Sequence, residues 1–173
     1  MSANTSIRTP VRGATPPLAS AMGGLRRLTV DGPFGPMTLC EVDGRITRLE
    51  WRADPDDGSA LLAEAARQLT AYFAGRLTSF DLPVDWGTGL HERVRQAMAA
   101  IPFGQTRTYG EIAKAVGAPA QAVGQACGAN PIPIIVPCHR VLGRSTLGGF
   151  SAPGGVETKV ALLRHEGAAG LLI

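Results

Sequence analysis

The run Pro133-Ile134-Ile135-Val136-Pro137 constrains this chain more than any other stretch of it. Three β-branched residues in a row favour extended backbone, and a proline at either end donates no backbone hydrogen bond. Such a segment suits neither a helix interior nor the centre of a sheet. It reads as a short strand that stops at Pro137, so Cys138-His139-Arg140 follows at a strand end, where a pocket can form. A free cysteine is usually a small buried hydrophobe. This one has as neighbours an imidazole that titrates near neutral pH and a fixed cation, and groups of these two kinds convert a thiol into the nucleophilic thiolate.

The sequence Pro137-Cys138-His139-Arg140, with Ile134-Ile135-Val136 before it, resembles the active-site signature of the O6-alkylguanine-DNA alkyltransferases. The resemblance continues upstream in Tyr109-Gly110-Glu111-Ile112-Ala113, Ala122-Val123-Gly124 and Asn130-Pro131, and downstream in Gly149-Phe150-Ser151 and residues 159–166. Gly35-Pro36-Met37-Thr38-Leu39 and Tyr72-Phe73-Ala74-Gly75 extend it into the first half, so that it spans roughly residues 25–167. Motifs in the right order at compatible spacing are far more specific than a bare Pro-Cys-His.

This resemblance implies a DNA-repair activity without a cofactor: one irreversible transfer of the alkyl group from O6-alkylguanine in double-stranded DNA to Cys138, by a monomer. It implies His139 as base acting through a water, Glu166 as the carboxylate that orients the imidazole, and Tyr109 as the group assisting departure of guanine. Asn130 is similar to the asparagine that braces the turn before the active-site segment. The helix with Gln121, Ala122 and Gly124 is expected in the minor groove, where a slim helix fits and little sequence code is on offer, with the damaged base flipped out of the stack. Ser151 is expected on a loop closing over that base. Lys159 is a further DNA-binding candidate, against the commoner reading as a solvated helix charge. Most family members carry an arginine immediately before Ala-Val-Gly, and this chain has Gln121 there, which leaves room for the alternative of a lesion-binding protein with weak or no transfer.

Charge agrees with a nucleic-acid partner only in its distribution. The net charge is +3, but residues 1–90 carry nine Lys/Arg against ten Asp/Glu, and residues 91–173 eight against four. Between Glu111 and Glu157 there is no acidic residue, while Lys114, Arg140 and Arg144 remain, which suits a face turned to phosphates. Arg140 is therefore also a DNA-contact candidate. Three cysteines without a CxxC pair form no disulfide framework and point to a reducing, cytoplasmic setting. Cys40, Cys127, Cys138 and the three histidines match no compact zinc spacing, so no metal is expected. A cysteine hydrolase is the nearest rival, and no oxyanion-hole motif supports it. No apolar stretch approaches a membrane span.

The expected fold is α/β: a small strand-rich N-terminal α/β domain over residues 23–85, and a mainly helical C-terminal domain with a helix-turn-helix over 86–173, after a disordered tail over 1–22. Alternating runs at 25–30, 37–42 and 46–51, with Asp31-Gly32-Pro33 and Asp43-Gly44 between them, read as strands joined by tight turns. Ser59 reads as the N-cap of a helix over 60–74, and residues 78–89 as the linker. Helices follow over 90–100, 111–116 and 120–127, the last two forming the helix-turn-helix. The small residues of the last, Ala120, Ala122, Gly124 and Ala126, suit either a helix pressed on the core or one laid on another surface. The first half shows no evident chemistry.

Overall fold

The computed structural model describes residues 23–168; the N-terminal tail expectation lies outside them. The first half is a three-stranded antiparallel meander, β1 (Arg26–Gly32), β2 (Gly35–Val42) and β3 (Arg45–Glu50), in the order β1-β2-β3. Met37, Leu39, Ile46 and Leu49 turn one face inward against α1 (Ala60–Phe73), which contributes Leu62, Ala65, Leu69 and Tyr72. Ser59 caps α1, its hydroxyl accepting from the Leu62 amide at 3.0 Å.

Both open edges of this sheet are occupied. Along β1 the Arg27 and Thr29 amides donate to the Asp57 and Asp56 carboxylates, and the Asp57 amide returns a bond to the Arg27 carbonyl. Along β3, residues read as linker run as a strand-like ribbon: the Ile46 amide donates to Pro83 O at 2.8 Å and the Asp85 amide to Ile46 O at 2.9 Å. Further on, the Leu49 amide donates to Pro131 O at 2.9 Å, which ties the sheet to the turn before the cysteine.

The second half comprises α2 (Gly89–Ala99), β4 (Arg107–Thr108), α3 (Tyr109–Val116), α4 (Ala120–Gly128), a 3₁₀ turn at Cys138–Arg140, β5 (Val141–Leu142) and α5 (Val156–His165). Thr108 and Glu111 form a capping box that starts α3 two residues before the sequence-based start at Glu111. Gly117, left-handed at φ 67°, ends it, and α4 restarts after Pro119, giving the helix-turn-helix. The two-residue parallel pairing of β4 with β5 has a large positional effect. It sets Tyr109, just after β4, beside the segment that carries Cys138, just before β5.

The expected strand at 134–136 does not form. Flanking prolines leave too few amides for a ladder, and the chain instead coils into a buried turn. The Ile135 amide bonds Pro133 O and the Val136 amide bonds Ile132 O, both at 2.9 Å, with Ile134 held at φ 72°. A β-branched residue there is strained by an amount of order 1–3 kcal/mol, sustained by its surroundings. Here full burial of Ile134 and the Asn130 side chain supply that support. Asn130 Nδ2 donates to Val136 O at 2.8 Å, and its Oδ1 accepts from the Ile132 amide at 3.2 Å.

Candidate active site

Cys138 opens the 3₁₀ turn and faces a cavity of about 180 Å³, several times the ~30 Å³ a water occupies in the liquid. Tyr109 and Pro133 line it, along with Gly124, Cys127 and Gly128 of α4, Asn130, and the loop residues Gly149, Phe150 and Ser151. Tyr109, Asn130, Cys138 and Ser151, all expected from sequence, therefore converge on one pocket, with Ser151 exposed at its lip. The Tyr109 ring packs tightly on Gly148 at φ 70°, where a Cβ would come within 2.6 Å of the phenol oxygen. Burial pushes the Tyr109 phenol up, so it stays protonated and can donate.

Behind the cysteine lies a buried polar cluster centred on Glu166. His139 Nε2 donates to Glu166 Oε1 at 2.7 Å, and Arg140 binds both carboxylate oxygens through Nε (2.8 Å) and Nη2 (2.9 Å). Tyr72 Oη donates to Oε1 at 2.7 Å from α1, in the first half of the chain. Burial would raise the Glu166 pKa, but the hydrogen bonds from His139 and Arg140 prevail and hold it at about 2. Glu166 is thus an anion, and it fixes the proton of a neutral imidazole on Nε2. Burial, outweighing Glu166, keeps the His139 pKa below its ordinary value, and Nδ1 is left with a lone pair and no protein partner. That is the arrangement of a base. No side-chain hydrogen bond joins His139 to Cys138 among the described residues.

Two expectations need correction here. Arg140 is neither the cation beside the sulfur nor a phosphate contact: it is buried, chelating Glu166 and donating to Ile101 O at 2.6 Å. Lys159 is neither a solvated charge nor a DNA contact. It is fully buried on α5, and its ammonium donates to Val141 O at 2.7 Å and Gly149 O at 3.3 Å. An ammonium so enclosed has no surface to offer DNA, and it is this group that takes the place assigned to Arg140. Burial pushes the Cys138 thiol up, against the lowering expected, while Asn130, Lys159 and the Cys138 and His139 backbone amides all favour the thiolate. Burial lowers the Lys159 pKa to about 8, against the opposing pull of Cys138 and Cys127.

Sequence reasoning missed Tyr72 as a member of the cluster and Cys127 as a pocket wall. Tyr72 was legible only as a motif residue, because nothing local in α1 points to a carboxylate 94 positions away. Cys127 is buried, and burial, then Cys138, pushes its thiol up to about 12, so it stays protonated at neutral pH and is a poor nucleophile.

The outer face of α4 is open. Val123, Ala126 and Cys127 point inward, while Gln121, Gly124, Gln125 and Gly128 form a stripe at helical spacing with Gln121 and Gln125 exposed. A Cβ built on Gly124 or Gly128 would meet nothing within 4 Å, so these glycines leave space at the surface and at the pocket and do not serve core packing. Arg144 is exposed after β5, whereas Arg107 is half-buried and donates to Thr106 O and Gln105 Oε1.

Residues 25–86 match the family model of the 6-O-methylguanine DNA methyltransferase ribonuclease-like domain, and residues 89–168 that of its DNA binding domain. The methylated-DNA--protein-cysteine methyltransferase of Mycobacterium tuberculosis is 47% identical over 154 residues, covering 80% of this chain and 90% of that protein. The crystal structure of the Mycobacterium tuberculosis O6-methylguanine methyltransferase superposes with a TM-score of 0.73 at 44% identity, covering 84% of this chain and 94% of that one. A structure of the same organism's protein in complex with DNA gives 0.70 at 45% identity, covering 82% and 92%. With a cysteine pocket backed by a Glu-His pair, an open small-residue helix and likeness along both halves, this chain belongs to the 6-O-methylguanine DNA methyltransferase family.

Proposed function

We propose that the chain repairs DNA by transferring the alkyl group of O6-alkylguanine irreversibly to Cys138, acting as a monomer. The observation that carries this reading is the convergence of Cys138, Tyr109 and Asn130 on one pocket, with a carboxylate-oriented neutral imidazole behind the sulfur. A single chain supplies every group of the site. The lesion-binding alternative is not favoured, because Cys138 is present with the groups that would activate it.

In the reaction, Cys138 gives its proton to Nδ1 of His139 through a water, and the sulfur attacks the alkyl carbon in line. The S–C bond forms as the C–O6 bond breaks, and the electron pair passes to guanine, which takes a proton supplied from Tyr109. Glu166 stabilises the imidazolium so formed, and Lys159 the thiolate. A thioether has no good leaving group, so each molecule acts once. The open face of α4 suits a minor groove, and the base must be flipped to reach a sulfur set back in a cavity, at a cost of a few kcal/mol.

Intact-protein mass after incubation with a duplex containing one O6-methylguanine tests this reading. A gain of one methyl group, saturating at one equivalent, mapped to Cys138 and absent in Cys138→Ser, is expected. Methylation of Cys127 or Cys40 instead, or tight lesion binding with no mass gain, overturns it.

Gln121 stands exposed at the position where the family arginine would fill the stack. Its amide can bond the orphaned partner base but brings no charge and a shorter reach. Gln121→Arg is expected to speed repair of duplex substrate about tenfold, or roughly 1.4 kcal/mol of barrier, and to leave the rate on free O6-benzylguanine unchanged. Single-turnover rates on the two substrates decide it, and equal duplex rates refute it.

A further inference from the structure

The strand-rich half meets the site twice: Tyr72 joins the Glu166 cluster, and Trp51 packs on Phe150, a wall of the pocket. We propose that Trp51 is a positioning residue for the alkyl pocket, its indole holding Phe150 and thereby the wall formed by residues 149–151. This rests on the reading of that pocket as the seat of the alkylated base.

Trp51 follows β3 directly, and its ring meets Phe150 edge to face, with centroids 6.4 Å apart and planes at 71°. Phe34 backs Trp51 at 6.4 Å and 72°, and Phe73 backs Phe34 at 6.1 Å and 73°. Such T-shaped contacts are directional, so the row fixes the indole's orientation as well as its place. Its footing is fixed relative to the site too, since the Leu49 amide two residues earlier is bonded to Pro131 O, next to Asn130.

The loop that Trp51 touches is irregular, and apart from the Lys159 bond its hydrogen bonds fall beyond the pocket wall, among them those from Thr158 Oγ1 to Pro153 O and from the Gly155 amide to Ala152 O. Between β5 and α5 it forms no regular element and contains Gly148, Gly149, Gly154 and Gly155, three of them at positive φ. Gly149 O accepts from Lys159 only at 3.3 Å. Phe150 lines the cavity. If its ring drifts, the wall facing the alkyl group drifts with it, and large alkyl groups suffer more than methyl because they touch more of that wall.

The test uses the full chain with free O6-benzylguanine, which needs no DNA binding. Trp51→Ala is expected to slow benzyl transfer to Cys138 about tenfold and methyl transfer from free O6-methylguanine less. Trp51→Phe, which restores an aromatic edge, is expected to recover most of the rate. Iodoacetamide labelling of Cys138, which does not need the loop seated, is expected to stay at the parent rate in both variants. Equal benzyl-transfer rates for Trp51→Ala and the parent overturn the inference. So does a loss of iodoacetamide reactivity matching the loss of transfer, which would mark plain structural damage. A parent chain that gains no benzyl group strikes the pocket reading itself, and the two failures are thereby told apart. In a Trp86→Phe background Trp51 is the sole tryptophan, and its emission is expected to change when Cys138 takes the benzyl group; an unchanged spectrum also counts against the proposal.

Discussion

Glu166→Gln is expected to lower the rate of alkyl transfer at least about a hundredfold and to destabilise the fold by about 3–5 kcal/mol. Both effects have one origin. The Glu166 carboxylate is the shared acceptor for His139, Arg140 and Tyr72, all buried. Glutamine keeps the shape but leaves the Arg140 guanidinium without a counter-charge in the interior, and breaking a buried pair from one side costs far more than the pair is worth whole. It also turns a carboxylate that stabilises imidazolium into an amide that cannot, so the base loses its driving force. Urea unfolding and single-turnover transfer at neutral pH give the two numbers. Acid provides an independent check. The Glu166 pKa is depressed in the fold to about 2 from 4.5, so the stability it adds is complete above about pH 4.5 and is lost as pH falls towards 2. The parent is expected to weaken across that window, and Glu166→Gln to show a flatter profile there. A variant that transfers at the parent rate would remove Glu166 from the mechanism.

Lys159→Met is expected to cost transfer at least about tenfold while changing stability little. The Lys159 charge favours the thiolate, two unit charges about 4 Å apart attract by on the order of 1–4 kcal/mol between watery and protein-like surroundings, and burial already disfavours the Cys138 thiolate. Removing the ammonium lets the thiol pKa climb further. For stability the terms oppose each other: an apolar side chain escapes the cost of burying a charge, but the Val141 and Gly149 carbonyls lose their donor. The pH profile separates this role from packing. The Lys159 pKa is lowered to about 8, so the ammonium is present below that pH and lost above it. Parent transfer to free O6-benzylguanine is expected to fall as pH rises past about 8, and Lys159→Met, starting from a lower rate, to lack that decline. A parent rate that keeps climbing through pH 9 would rule out the ammonium as the thiolate's partner.

What could be read from the residues alone divides along physical lines. Local signals were legible: the Gly-punctuated hairpins of β1 to β3, Ser59 as a cap, and the Gly117 break between α3 and α4 depend on near neighbours, and the structure carries all of them. The convergence of Cys138, Tyr109 and Asn130 was reachable through motif resemblance, which carries long-range information that propensity does not. What failed was the environment of each charge. Arg140 and Lys159 look alike in sequence, as basic residues in a segment with almost no acid, yet both end inside. One meets a carboxylate 26 residues on and the other two backbone carbonyls. The turn at residues 133–136 failed for another reason: β-branched residues prefer extended backbone, but Asn130 and the surrounding core overrule that preference at Ile134.

The two occupied edges of the β-sheet bear on how many copies of this protein can coexist. A chain consumed by its own reaction must be kept in number, and its alkylated copies add to the crowd. Unpaired strand edges in a crowd are templates for chain-to-chain pairing and aggregation. Here Asp57 and Asp56 take the Arg27 and Thr29 amides of β1, while Pro83 and Pro131 take the Ile46 and Leu49 amides of β3. Neighbouring molecules therefore meet carboxylates and spoken-for amides where a free strand would otherwise be, so the ribbon and loop that complete the fold also blunt edge-to-edge pairing between copies.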